Sequence, residues 1–187
     1  MTPLCELAEK FGTDKVKTHK DHSHDYTEAY YDMFQSMRGD VRRVLELGIG
    51  GGGYAASLRM WKEFFPNAEI YGGDWDRNAF VTEDRIHCFW YDQRDEKTLQ
   101  DIGSITGGDF DIIIDDGSHE PAEQGLAAKV LYPLLKPNGY YVIEDVRDNN
   151  CVKVIETFVK QPHRVDARAF KGCDNRLFII PGVDRVE

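Results

Sequence analysis

The sequence predicts an α/β fold: one doubly wound, mostly parallel sheet of about seven strands with a C-terminal antiparallel hairpin. Three observations carry this expectation. Short apolar runs alternate with helical patterns from Val44 to Lys160. The first run passes through glycines into a helix. The last two runs, Val165 to Phe170 and Arg176 to Ile180, flank Gly172-Cys173-Asp174-Asn175, which has the composition of a hairpin loop.

The elements follow in order. Leu4 to Phe11 suits a short helix, and Gly12-Thr13-Asp14-Lys15 a turn. His19, His22 and His24 cluster with Lys20, Asp21 and Asp25; a solvated loop explains them more simply than a zinc site, which no cysteine pair accompanies. Tyr26, Tyr30, Met33, Phe34 and Met37 recur at helical spacing, so Tyr26 to Met37 is an amphipathic helix that serves as core or as a lid. Val44, Leu45 and Leu47 mark the first strand, and Ala55 to Phe65 the helix after it. Strands follow at Glu69 to Asp74, Ile86 to Tyr91, Phe110 to Ile114 and Tyr140 to Ile143. Helices lie between or after them at Glu96 to Ile102, Pro121 to Leu135 and Val152 to Lys160.

A chain of 187 residues suits one domain, 1–187, with residues 1–40 as an N-terminal lid or helical segment. Cys5, Cys88, Cys151 and Cys173 show no paired metal spacing, and reduced thiols in a cytoplasmic protein are the simplest expectation. No apolar run approaches the roughly 20 residues of a membrane span, and Met1 to Lys10 lacks a signal-peptide core. A formal net charge of −10 argues against a nucleic-acid partner and for a small neutral or cationic one. A homo-oligomer is left open.

Gly48, Gly50 and Gly53 fit G-x-G-x-x-G, the spacing that lets backbone approach a nucleotide-like ligand in Rossmann-like folds. Any tight strand-to-helix turn also favours glycine. Glu46, two residues earlier, adds information, because a carboxylate there repels a pyrophosphate and suits a cation. S-adenosylmethionine carries an ammonium and a sulfonium, so it is favoured over a dinucleotide, which stays open as the rival. Asp74 lies after the second strand, about 20 residues on, where an acid takes ribose hydroxyls. Asp76 and Asp84 are nearby alternatives. Asp92 and Gln93 follow the third strand, placed either to read an adenine edge or to cap the next helix.

The strand ends then read Glu46, Asp74, Asp92, Asp115-Asp116 and Glu144-Asp145. Carboxylates crowded on one rim repel, and a bound cation resolves this. Asp116, Glu144 and Asp145 form an all-oxygen set that suits Mg²⁺ over zinc. The alternative is helix capping, with Asp115 or Ser118 capping the helix at Pro121. His119 shares the loop with Asp116. A metal-held hydroxyl and an imidazole base are what an oxygen nucleophile needs at neutral pH. A role in a neighbouring turn is its bland reading.

These residues resemble class I methyltransferases. The resemblance runs through Gly12-Thr13-Asp14-Lys15, His24 to Tyr30, Leu45-Glu46-Leu47-Gly48, Ser57 to Trp61, Phe64 to Ala68, Tyr71 to Asp74, Phe110 to His119 and Tyr141 to Asp145. It resembles in particular the metal-dependent sugar O-methyltransferases of macrolide pathways and the related cephalosporin-tailoring proteins. It implies Mg²⁺ on Asp116, Glu144 and Asp145, and His119 as general base. It also implies an S-adenosylmethionine pocket lined by Glu46, Gly48, Asp74, Asp92 and Asp115, with Gly50 and Gln93 beside them and Tyr26 and Thr27 closing over it. Val16 to Ser23 is longer than the matching segment of the family, and nothing past Asp145 matches clearly. The expected activity is Mg²⁺-assisted methyl transfer to a hydroxyl of a sugar or glycosylated small molecule. The alternatives are a non-catalytic cofactor- or sugar-binding module and an NAD-dependent oxidoreductase. Nucleic-acid methylation lacks its Asn/Asp-Pro-Pro-aromatic motif after the fourth strand.

Overall fold

A computed structural model describes residues 1–16, 24–50, 54–167 and 176–183. Its seven strands are β1 (Arg43–Leu47), β2 (Glu69–Asp74), β3 (Ile86–Trp90), β4 (Phe110–Asp115), β5 (Leu135–Ile143), β6 (Arg164–Asp166) and β7 (Leu177–Pro181). They form one sheet in the order β3-β2-β1-β4-β5-β7-β6. The first five strands pair in parallel, and β7 runs antiparallel to both β5 and β6. The strand order reverses between β1 and β4, and a crevice opens there at the carboxyl ends. This is the α/β architecture the sequence predicts.

Both faces of the sheet are covered, so successive strand residues are apolar rather than alternating with polar ones. Ile112 and Ile114 pack on one face with Val44, Ile70, Val142 and Ile179. That face is covered by α1 (Pro3–Phe11), α2 (Thr27–Phe34) and α3 (Ala56–Phe64), through Leu4, Tyr30, Phe34 and Trp61. Ile113 points the other way, with Leu45, Leu47, Tyr141, Ile143 and Phe178. There α4 (Glu96–Thr106), α5 (Pro121–Leu131) and α6 (Asn149–Phe158) supply Leu99, Ile102, Leu131 and Ile155.

Some boundaries differ from the sequence pattern. α2 ends at Phe34, and α5 passes into a 3-10 turn at Tyr132–Leu134 that Pro133 favours. The fifth strand, expected from Tyr140, starts at Leu135, and Lys136 to Gly139 lie within it as a register irregularity, with Asn138 at φ 63°. The expected hairpin loop 172–175, His19, His22 and Gly53 lie outside the described residues.

Gly48 leaves β1 at φ +85°, and its N–H donates to the Gly73 carbonyl at 2.9 Å. A Cβ there would sit 2.0 Å from the Asp116 carbonyl oxygen. Gly50, at φ +80°, has open space around it. The two positions separate backbone strain from collision. Gly50→Ala is expected to cost about 1–2 kcal/mol of left-handed strain. Gly48→Ala carries the same strain and must also displace the loop at Asp116, so its loss in urea unfolding is expected to exceed that of Gly50→Ala by at least about 1 kcal/mol. Equal losses would show that the close approach is absent.

Candidate active site

A cavity of about 1140 Å³ lies over the carboxyl ends of the strands. Its walls are the glycine turn after β1, Asp74 to Asp76, Tyr91 to Arg94, Asp116 to Glu120, Glu144-Asp145 and the N-terminal segment Phe11 to Lys15 with His24.

On the β2 side, Asp74 braces the glycine turn. Its Oδ2 accepts from the N–H groups of Ile49 (2.9 Å) and Gly50 (3.3 Å), and its Oδ1 from that of Asp76 (2.8 Å). Asp92 lines the wall next to it and takes two bonds from the Arg94 guanidinium, at 2.9 and 2.7 Å. Gln93 also lines the wall, yet its side chain serves the loop after β4. Its Nε2 donates to both carboxylate oxygens of Asp115 (3.0 and 2.9 Å), and its Oε1 accepts from the Ser118 N–H (2.9 Å). Asp115 is fully buried and also takes the Gly117 N–H at 3.2 Å. Burial pushes its carboxyl up to about 7.

Four sequence-predicted residues lie behind the cavity wall rather than in it. Asp115 is one. Glu46 is another: it is fully buried, accepts from Trp61 Nε1 at 3.0 Å, and burial raises it to about 7 against the pull of Lys15. Tyr26 and Thr27 are also fully buried. Tyr26 donates to Asp145 Oδ1 at 2.7 Å and accepts from the Asp145 N–H at 3.2 Å; Thr27 Oγ1 meets Cys5 Sγ at 3.2 Å. The helix expected as core or lid is core, packed behind the cavity wall.

The acidic side holds the chemistry-bearing groups. His119 (φ 57°) and Asp145 (φ 56°) both adopt the left-handed backbone that non-glycine residues avoid. These turns bring the imidazole between two carboxylates. His119 Nε2 lies 3.2 Å from Asp116 Oδ1, and Nδ1 lies 3.3 Å from Asp145 Oδ2. The bond to Asp116 raises the imidazole to about 9, although burial opposes it. Burial pushes Asp116 up, but the Lys15 ammonium and His119 outweigh it and hold the carboxyl at about 2. Burial raises Glu144 and Asp145.

Donor atoms of Asp116, His119 and Asp145 lie within 4.8 Å of one another. Two carboxylates and an imidazole, with a third carboxylate in the same wall, suit a divalent cation that prefers oxygen.

Several residues here have no role legible in the sequence. Lys15 Nζ sits among Asp116 Oδ2 (2.5 Å), Glu144 Oε2 (2.8 Å) and Glu46 Oε1 (3.3 Å). Tyr30 OH donates to Glu144 Oε1 at 2.5 Å, and Gln124 Nε2 donates to the Glu144 carbonyl at 2.9 Å. His24 Nδ1 approaches Asp145 Oδ1 at 3.3 Å. Lys15 falls in the Gly12-Thr13-Asp14-Lys15 turn, whose pattern marks a turn but not the site its fourth residue reaches.

No protein-family model matches the chain. Among characterised proteins it is 39% identical over 150 residues to the 8-demethyl-8-alpha-L-rhamnosyl tetracenomycin-C 2'-O-methyltransferase of Streptomyces olivaceus, covering 77% of this chain and 38% of that protein. It is 41% identical over 149 residues to the mycinamicin VI 2''-O-methyltransferase of Micromonospora griseorubida, covering 76% of this chain and 36% of that protein. Among solved structures, the MycE methyltransferase of the mycinamycin biosynthetic pathway, in complex with Mg, SAH and mycinamycin VI, superposes with a TM-score of 0.80 at 30% identity. That match covers 100% of this chain and 56% of MycE. The SAH-bound methyltransferase PaMTH1 of Podospora anserina shares the fold at a TM-score of 0.62 and 17% identity, covering 98% of this chain and 89% of that one. The chain thus spans little more than a third of the length of the characterised relatives it matches. By sequence and by fold, the chain belongs to the S-adenosylmethionine-dependent methyltransferase family of the macrolide and rhamnosyl sugar O-methyltransferases.

Proposed function

We propose that the chain transfers a methyl group from S-adenosylmethionine to a hydroxyl of a sugar on a glycosylated small molecule, with Mg²⁺ assistance, in the cytoplasm. The observation that carries this is the content of one cavity. A braced glycine turn with Asp74 lies on one side, and Asp116, His119 and Asp145 within 4.8 Å of one another lie on the other. Relatives named for O-methylation of rhamnosyl and macrolide sugars support the acceptor class. Among the described residues, no helix is long and apolar enough to cross a membrane. The largely acidic wall disfavours nucleic acid.

In this reading Gly48, Gly50, Asp74, Asp92 and Gln93 border the S-adenosylmethionine side. Asp115 supports that side from behind through Gln93, whereas Glu46 and Tyr26 back the acidic side through Lys15 and Asp145, and Thr27 packs on Cys5. Asp116 and Asp145 would hold Mg²⁺, with Glu144, whose oxygens pair with Lys15 and Tyr30, backing them; the ion would supply a Lewis acid that lowers the pKa of a hydroxyl. S-adenosylmethionine supplies an electrophilic methyl on sulfur. His119 takes the proton of the acceptor hydroxyl at a ring nitrogen. While it bridges two carboxylates it holds a proton of its own. With Asp116 and Asp145 holding a cation, the imidazole would lose the anionic partners that keep it charged and would return towards an ordinary value. The walls exclude water from the methyl group and align the displacement.

The rival is a binding module without turnover, which the double engagement of the His119 ring favours. The test uses labelled S-adenosylmethionine and a panel of rhamnosides and macrolide glycosides, with and without EDTA. Metal-dependent labelling of a sugar hydroxyl is expected. Asp116→Asn and His119→Ala are each expected to lower the rate by about 10²–10⁴-fold while S-adenosylmethionine affinity by calorimetry changes little. Cofactor binding with no transfer across the panel would favour the module, and binding of NAD instead would favour an oxidoreductase.

The His119 contacts also set a pH signature for the metal-free protein. The folded imidazole titrates at about 9 against about 6.5 when unfolded. Folding therefore gains from these contacts fully below about pH 6.5 and loses that gain as pH rises through about 9. The melting-temperature difference between wild type and His119→Gln is expected to be largest near pH 6 and to vanish above about pH 10. A difference that does not change with pH would show that the imidazole is not held charged.

A further inference from the structure

Beyond the ligands and the base stands a cation that the chain supplies itself. The Lys15 side chain is 2% exposed, and its ammonium touches Glu46, Asp116 and Glu144. Its backbone is pinned as firmly as its head group. The Lys15 carbonyl accepts from the N–H groups of Tyr26 (2.9 Å) and Thr27 (3.2 Å), where the chain enters α2. The ammonium therefore belongs to a built position and not to a wandering side chain.

The geometry divides the carboxylates into two layers. Glu46 and Glu144 form the inner layer, and their remaining oxygens are taken by Trp61 and Tyr30. Asp116 and Asp145 form the outer layer on His119. Asp116 belongs to both: Lys15 takes its Oδ2 and leaves Oδ1 turned to His119.

We propose that Lys15 is a positioning residue that tempers the divalent-cation site: it neutralises the inner carboxylates and fixes which oxygen of Asp116 faces the cavity. This rests on the metal-assisted reading above and adds a regulator of the same site. A fixed positive charge beside a cation site weakens binding, so the ion stays exchangeable instead of being trapped by four neighbouring carboxylates. Removing the ammonium frees Glu144 and Asp116 Oδ2 and adds one negative charge to the field. Removing the Glu46 carboxylate does the opposite, because Lys15 is then less neutralised.

The two variants should shift metal affinity in opposite directions, which a merely structural role would not do. Mn²⁺ binding by electron paramagnetic resonance and Mg²⁺ binding by calorimetry are measured on the whole chain without cofactor or acceptor. Lys15→Met is expected to bind Mn²⁺ about tenfold tighter or more, and its melting temperature to rise far more steeply with Mg²⁺ than that of wild type. Glu46→Gln is expected to bind about threefold weaker or more. If Lys15→Met does not fold, Lys15→Gln, which removes the charge but keeps a hydrogen-bond donor, takes its place with the same expected tightening. Unchanged or weaker binding in Lys15→Met, or unchanged or tighter binding in Glu46→Gln, overturns the assignment. A wild type that binds neither ion overturns the metal-site reading and this inference with it, whereas a wild type that binds while the variants do not diverge overturns only the role of Lys15.

Discussion

Buried like charges are the constraint around which this structure is arranged. Two carboxylates about 5 Å apart repel by about 3 kcal/mol at an effective dielectric of about 20, and desolvation adds several more for each ion. Glu46, Glu144 and Asp145 are buried and Asp116 is largely so. An arrangement of this kind persists only when cations and hydrogen-bond donors are built around it. The chain provides Lys15, His119, Tyr26 and Tyr30 for that purpose, three of them from the N-terminal segment. This gives a physical reason for α1 and α2 to pack where they do. Leu4, Tyr30 and Phe34 cover the sheet, and Lys15, Tyr26 and the Tyr30 hydroxyl satisfy its acidic rim.

The sheet explains why the acids meet. β1 and β4 pair in parallel with Leu47 opposite Asp115, and the ladder runs on past the strands. The Asp116 N–H donates to the Leu47 carbonyl and the Glu144 N–H to that of Asp115, each at 2.9 Å. Residues at the ends of β1, β4 and β5 are therefore held in register by backbone bonds before any side chain acts. The left-handed turns at His119 and Asp145 come immediately after this register ends. Strain of roughly 1–3 kcal/mol at each is tolerated because the neighbouring ladder and the bonds from Tyr26 fix the backbone.

What the sequence revealed follows the same division. The strand-end acids and His119 were legible because a parallel sheet collects its strand ends, so topology alone brings Asp116 to Glu144-Asp145. The covering of both faces was legible in the apolar runs. Lys15 was not, because it meets Asp116 and Glu144 across 101 and 129 residues of chain, and no local spacing encodes that approach. Glu46 was expected to face a cation, and a cation lies beside it, but it is the lysine of the same chain and it lies behind the cavity. Gln93 was expected to read a base edge or cap a helix; its amide is engaged by Asp115 and Ser118, partners that only the fold brings close. The start of β5 was missed because Pro137 and Asn138-Gly139 carry turn chemistry that strand pairing overrides.

The size of the cavity bears on how these parts work together. Pockets for one small ligand commonly enclose about 300–1,000 Å³. This one, at about 1140 Å³, lies above that range, and its two sides differ in chemistry. The β2 side is a glycine turn whose backbone amides Asp74 braces; the β4–β5 side offers carboxylates and an imidazole. The loop from Asp115 to His119 joins them: Gln93 holds its first residue from one side, and Asp145 meets its last from the other. A ligand seated against either side therefore borders a loop that the other side also holds. The proposed chemistry needs this arrangement, because methyl transfer requires donor and acceptor to be positioned relative to each other and not merely bound in the same cavity.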